Sequence, residues 1–236
     1  MQRYFVKGNL DNILFNEQDI FHIQKVMRCK KGDQIEIVLE EKAYLTVIDE
    51  INPLRVHIQE PINNEVELSY PTTLFFPLTK SDKIELVIQK GTELGISRII
   101  LYRASRSVVK MTNEDFKRKE NRMISIAKEA SEQCHRLKIP EIIGVVDFKD
   151  IKNYEANHNL FAYELEAGKV NPLEKELNSI KGSVNMIVGP EGGFTKEEAE
   201  YLVNNKYVAL PLGKRILRCE TAAIYLMTLV SYYLEK

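Results

Sequence analysis

Cysteine is scarce in this chain of 236 residues, and the three present, Cys29, Cys134 and Cys219, lie far apart. No C-x-x-C pair exists, which argues against a disulfide framework or a zinc knuckle and fits a reducing cytosol. His and Cys show no metal-ligand spacing, so no metal is expected. Charge of one sign is not in surplus: 33 Lys+Arg stand against 34 Asp+Glu. A whole-surface field for nucleic acid is thereby excluded, while a local basic patch is not. No apolar run is long enough to span a bilayer, and Met1-Gln2-Arg3-Tyr4-Phe5-Val6 offers no apolar core of signal-peptide length. A cytoplasmic protein with no membrane partner is expected. What is present, 44% hydrophobic and 28% charged residues, suits one large globular domain or two modest ones.

The first seventy residues read as a small β domain with one helix. Arg3-Tyr4-Phe5-Val6 is a short strand candidate. Ile20, Ile23 and Met27 recur at helical spacing over 19–28, and Lys31-Gly32-Asp33 breaks the helix. Ile35, Ile37 and Leu39 alternate with polar neighbours at the period of a half-buried strand. Two further strands, 43–51 and 54–59, complete a pattern that suggests a small barrel. Lys25, Arg28, Lys30 and Lys31, with Arg3 possible nearby, form a local basic cluster. It suits RNA phosphates, and it equally suits a solvated helix end.

From Ser69-Tyr70-Pro71 onward strands alternate with helices, which implies a mostly parallel α/β sheet. The run 72–78, a helix ending near Gly95 and the run 96–102 make one strand–helix–strand unit. Gly91 lies on that helix's apolar face and predicts close packing. A long helix is expected over 113–138, stopped by Pro140. Beside its buried stripe, Arg122, Glu129, Gln133 and Arg136 line up as a polar edge. That edge is either a solvated face or the wall of a cleft suited to base edges and phosphate.

Two glycine-bearing turns, 189–193 and 212–218, each follow an apolar strand-like run and precede a helix start. In sheets of this kind such turns frame one ligand cleft, and Glu164 at a preceding strand end faces the same edge. The first turn is not a phosphate loop: it lacks a Gly-Lys-Ser/Thr ending, and Glu191 would repel phosphate oxygens. Gly189, Gly192 and Gly193 also fit no G-x-G-x-x-G register. A neutral or cationic ligand with hydrogen-bonding edges, such as an adenosine group with a sulfonium centre, suits it better.

Gly189-Pro190-Glu191-Gly192-Gly193-Phe194 and Leu212-Gly213-Lys214-Arg215-Ile216-Leu217-Arg218-Cys219-Glu220-Thr221-Ala222 resemble the signature of the RsmE family. These are ribosomal RNA small-subunit methyltransferases of the SPOUT superfamily. Lys80-Ser81-Asp82-Lys83, Thr92-Glu93-Leu94-Gly95 and Glu129-Ala130-Ser131-Glu132-Gln133 extend the similarity along the chain. The resemblance implies a PUA-like RNA-binding β-barrel over 1–70 and a SPOUT methyltransferase domain with a deep trefoil knot over 71–236. It implies S-adenosylmethionine (SAM) as methyl donor, a homodimer, and methylation of N3 of one uridine in 16S rRNA of the small ribosomal subunit. By position it places the cofactor among Glu164, Gly189, Pro190, Glu191, Gly192, Gly193, Leu212, Gly213, Ile216, Leu217 and Arg218. Arg3, Lys25, Arg28, Gln133 and Arg136 become candidates for RNA contact.

Uridine N3 is a poor nucleophile until its imino proton leaves. Arg136 or Arg218 is therefore a candidate to stabilise the resulting anion, and Glu191 is a candidate base. Two other functions fit the same residues: a methyltransferase of this superfamily acting on another RNA such as tRNA, and a non-catalytic RNA-binding or ribosome-assembly module.

Overall fold

The computed structural model describes residues 1–63, 65–163 and 173–236. They form two compact units, one of Met1–Glu67 with Lys128–Lys138 and one of Leu68–Ala127 with Ile139–Lys236. The segment Lys128–Lys138 thus belongs with the N-terminal residues, whereas a division at 70/71 assigns it to the other side.

The first unit begins with β1 (Arg3–Phe5), the hairpin β2 (Lys7–Asn9) and β3 (Asn12–Leu14), and α1 (Glu17–Phe21). β4 (Gln34–Leu39), β5 (Lys42–Ile51) and β6 (Leu54–Ile62) follow. They make a sheet of order β1-β4-β5-β6 in which β1 runs parallel to β4 and the other pairs are antiparallel. Ile35 and Ile37 point into the core between the outward Gln34 and the partly buried Glu36. The helix expected over 19–28 is shorter. The Asn16 side chain caps α1 by accepting from the Asp19 amide at 2.8 Å, but after Phe21 the backbone widens into a π turn, His22–Val26. Arg28 then takes a left-handed φ of 54°. The wider turn rotates Met27 out of the predicted apolar stripe, and it is exposed.

Lys128–Lys138 is tied to this unit by charge. Lys128 Nζ donates to Asp19 Oδ1 at 2.7 Å and Glu132 Oε1 at 2.6 Å, and the Phe5 amide donates to Glu132 at 3.2 Å. Burial pushes the Lys128 pKa down, but the two carboxylates more than offset it and the net shift is upward.

The second unit is a parallel sheet with helices on its faces. In chain order it holds β7 (Thr72–Pro77), α2 (Ser81–Glu93), β8 (Arg98–Arg103), α3 (Asn113–Gln133, through Ala127), β9 (Glu141–Asp147) and β10 (His158–Ala162). Then come α4 (Leu173–Asn178), β11 (Val184–Ile187), α5 (Lys196–Asn204), β12 (Val208–Leu210) and α6 (Cys219–Leu234). The strand order is β12-β10-β11-β7-β8-β9, with every pair parallel. All six residues of β7 are buried, as expected for a strand covered on both faces. Leu74, Phe76, Ile88, Leu226 and Met227 belong to one core cluster; Phe75, Ile100, Phe161, Phe194 and Leu202 belong to the other. A Cβ on Gly91 would lie 3.2 Å from both Ile99 Cδ1 and Met227 Sδ, so the packing predicted for that glycine is present. The apolar face of α6 is core: Ala223, Leu226 and Val230 are fully buried.

Candidate functional site

β10, β11 and β12 are neighbours and run the same way, so their C-terminal ends share one edge of the sheet. β11 leads into the turn 189–193 and β12 into the turn 212–218, while β10 ends at Ala162. The two glycine turns lie at one edge, as the sequence suggests. Glu164 lies outside the described residues. A pocket at this edge is lined by Ala162, Tyr163, Leu212, Gly213, Ile216 and Leu217. Gly193 and Gly213 have φ of 67° and 109°, and a Cβ on either would meet nothing within 4 Å. Both turns need a conformation that disfavours other residues, and both present bare backbone to open space. An apolar wall of Leu212, Ile216 and Leu217 beside the uncovered backbone of Gly213 fits a flat heteroaromatic base such as adenine.

The first turn is held from beneath by the chain that leaves β8. The Tyr102 hydroxyl donates to Val188 O at 2.7 Å, and burial raises its pKa well above the usual phenol range, keeping it a donor. Arg106 Nη1 donates to Gly192 O at 2.9 Å and Phe194 O at 3.3 Å. The stem of Arg106 covers Gly192, where an added Cβ would lie 3.1 Å away. Thr195 and Glu198 form a capping box at the start of α5. Glu198 does more: one oxygen accepts from the Thr195 amide at 2.9 Å, the other from the Ser105 amide at 2.8 Å. A single buried carboxylate therefore fixes α5 and the β8 loop together.

Glu191 of the turn is ion-paired with Lys83 of α2, and Lys83 Nζ also lies 3.3 Å from Glu220 at the start of α6. The hydrogen bond and charge of Lys83 hold the Glu191 carboxyl below the ordinary range, and the Glu191 hydrogen bond leads the upward shift of Lys83. A carboxylate paired with an ammonium accepts protons less readily than a free one. Arg218 is exposed at the N-cap of α6 and adds to the positive field on Glu191. Next to it, burial pushes the Cys219 thiol up to about 12.

In the N-terminal unit the expected helix ends early. α3 stops at Gln133, and His135 adopts a left-handed φ of 60° while the Arg136 amide donates to Ser131 O at 2.9 Å. That turn takes Arg136 off the helical stripe. Only 3% exposed, Arg136 donates from Nη2 to Glu67 Oε2 at 2.6 Å and from Nε to the same oxygen at 3.1 Å. Arg3, 1% exposed, donates from Nε to Glu36 at 2.9 Å and from Nη1 to the His135 carbonyl. Both arginines are buried in ion pairs within this unit. Lys25, Arg28 and Gln133 are exposed.

Lys83 and Arg106 hold the turn 189–193 and were not singled out from the sequence, because their partners lie 108 and 86 positions away. Among the described residues, no group of His, Cys, Asp and Glu could hold a metal ion, and no helix is long and apolar enough to cross a membrane.

A family model described as RNA methyltransferase domain matches residues 66–231, and one described as RNA methyltransferase PUA domain matches residues 15–60. The chain is 36% identical to ribosomal RNA small subunit methyltransferase E of Bacillus subtilis, covering 100% of this chain and 98% of that one. A protein of Legionella pneumophila assigned as a methyltransferase and solved in complex with SAM superposes with a TM-score of 0.87 at 26% identity, covering 98% and 96% of the two chains. The fold is also that of the SAM-bound ribosomal RNA small subunit methyltransferase E of Neisseria gonorrhoeae, with a TM-score of 0.83 at 22% identity and coverage of 97% and 96%.

Proposed function

Because the chain belongs to the ribosomal RNA small subunit methyltransferase E family, we propose that it transfers the methyl group of SAM to N3 of a uridine in 16S rRNA. The observation that carries this reading is the placement of 189–193 and 212–218 at one sheet edge, with bare backbone at Gly213 beside the apolar wall. Leu212, Ile216 and Leu217 would hold the adenine, and Gly189, Pro190, Glu191, Gly192 and Gly193 would border the reacting end.

SAM supplies an electrophilic methyl carbon on a sulfonium. With SAM held in the turns, transfer would form the N–C bond as the S–C bond breaks, once the N3 proton has left and N3 stands in line with the sulfonium. The main task of the protein is alignment, which the clasps on the glycine turn serve. Arg218, exposed beside that turn, is the candidate to stabilise the N3 anion. Lys25, Arg28 and Gln133 are the candidates for RNA contact, with 1–70 as the RNA-binding part and 71–236 as the catalytic part.

The finer features of the family reading belong to the same proposal. A trefoil knot is supported by β12 standing beside β10 at the sheet edge while α6 returns to pack against α2. A homodimer is supported by Tyr225 and Tyr232, exposed aromatic side chains on α6. The substrate is the uridine within the small ribosomal subunit, and the setting is the cytoplasm.

The test is mass spectrometry of rRNA from cells with and without this protein, followed by methylation of isolated small subunits and free 16S rRNA in vitro. Loss of 3-methyluridine from 16S rRNA is expected. An unchanged rRNA with an altered tRNA profile would transfer the proposal to another RNA.

A further inference from the structure

A cavity of about 540 Å3 opens at the C-terminal ends of β7 and β8, and the cofactor reading does not use it. Its volume falls within the roughly 300–1,000 Å3 typical of small-molecule sites. Leu78 and Met111, 2% and 5% exposed, and the half-buried Val109 give it apolar surface. Arg103, Lys110 and Ser107 add polar groups, against the carboxylate of Glu114. Arg103 donates to Met111 O at 3.4 Å, tying the two ends of the lining loop.

The position of the cavity matters as much as its lining. In the order β11-β7-β8, the end of β8 stands two strand spacings from the end of β11. That is about 10 Å, the reach of one nucleotide. The same loop holds the glycine turn through Arg106 and Glu198, so cavity wall and turn are one connected structure.

We infer that this cavity seats the acceptor, a pyrimidine nucleotide of the substrate RNA, with its base edge turned toward the glycine turn; this rests on the methyltransferase reading above. The apolar surface of Leu78, Val109 and Met111 suits the faces of a base extruded from its stack. Lys110, exposed on the rim, suits its phosphate; the guanidinium of Arg103 is held at 2.8 Å by Asp147.

Two variants test this: Lys110→Ala, which removes the rim cation, and Val109→Trp, which fills the cavity. Each is assayed for methyl transfer from radiolabelled SAM to small ribosomal subunits, and for SAM affinity by calorimetry without RNA. A rise of at least tenfold in KM for the subunits, with SAM Kd within twofold of wild type, is the expected result for both. Wild-type KM and kcat in both variants would overturn the assignment. If Val109→Trp loses SAM binding through misfolding, Lys110→Ala decides by the same criterion. A wild-type protein that methylates no RNA would instead overturn the methyltransferase reading itself, so the two failures are distinguishable.

Discussion

Arg136 and Glu67 form a buried, two-point ion pair, with Nη2 and Nε of the arginine 2.6 Å and 3.1 Å from one carboxylate oxygen. The other oxygen accepts from the amides of Leu137 and Lys138 at 2.9 Å and 3.2 Å. Glu67→Ala is expected to destabilise the protein by about 3 kcal/mol, because it removes the carboxylate that the buried Arg136 guanidinium and two amides bond. Arg136→Met is expected to lose stability while SAM Kd stays within twofold of wild type. Urea unfolding and calorimetry check both; a tenfold weaker Kd in folded Arg136→Met would place that residue in the active site.

Lys83 links the glycine turn to the start of α6 through Glu191 and Glu220. The pair is partly exposed, so Lys83→Met is expected to weaken SAM binding by less than tenfold. The pH dependence follows from the two shifts. The lowered Glu191 contributes above the ordinary carboxylate range and loses its contribution as pH falls through its folded value. The raised Lys83 contributes below the ordinary lysine range and loses its contribution as pH rises through its folded value. This link is therefore constant across neutral pH. Glu191→Gln is expected to keep kcat within tenfold, and a hundredfold loss would mark Glu191 as the base.

A side chain at Gly189 would press on Phe194. A Cβ there would lie 3.1 Å from the Phe194 ring and 3.3 Å from the Phe194 amide nitrogen. Gly189→Ala is expected to cost about 1–3 kcal/mol through overpacking and to weaken SAM binding, because the turn must shift. Thermal unfolding and calorimetry measure the two effects separately.

Cys219 is buried at the first position of α6, with its thiol pushed up to about 12 by burial and then by Glu220. It is expected to resist iodoacetamide at pH 8 in the folded protein and to react fully in urea, as read by peptide mass spectrometry. Rapid labelling of the folded protein would show that the start of α6 opens readily.

The alternation of strands and helices was legible because buried parallel strands and amphipathic helices leave strong periodic marks. The two turns were legible because glycine is needed where backbone must stand at positive φ. The end of α3 was not: Ser131 to Lys138 keeps helical spacing, yet His135 turns left-handed, and periodicity carries no record of where a helix stops. The π turn after Phe21 escaped for the same reason. Lys83–Glu191 and Arg106–Gly192 escaped because their partners are distant in sequence and are brought together only by strand order.

The N-terminal unit is completed by Lys128–Lys138, and this has a consequence for biosynthesis. Arg136 follows Glu67 by 69 positions. At roughly 5–20 residues per second, a ribosome takes about 3–14 s to make the difference. For that interval Glu36 lacks the His135 imidazole and Glu67 lacks its arginine. Residues 1–67 are thus made well before the segment that completes their unit.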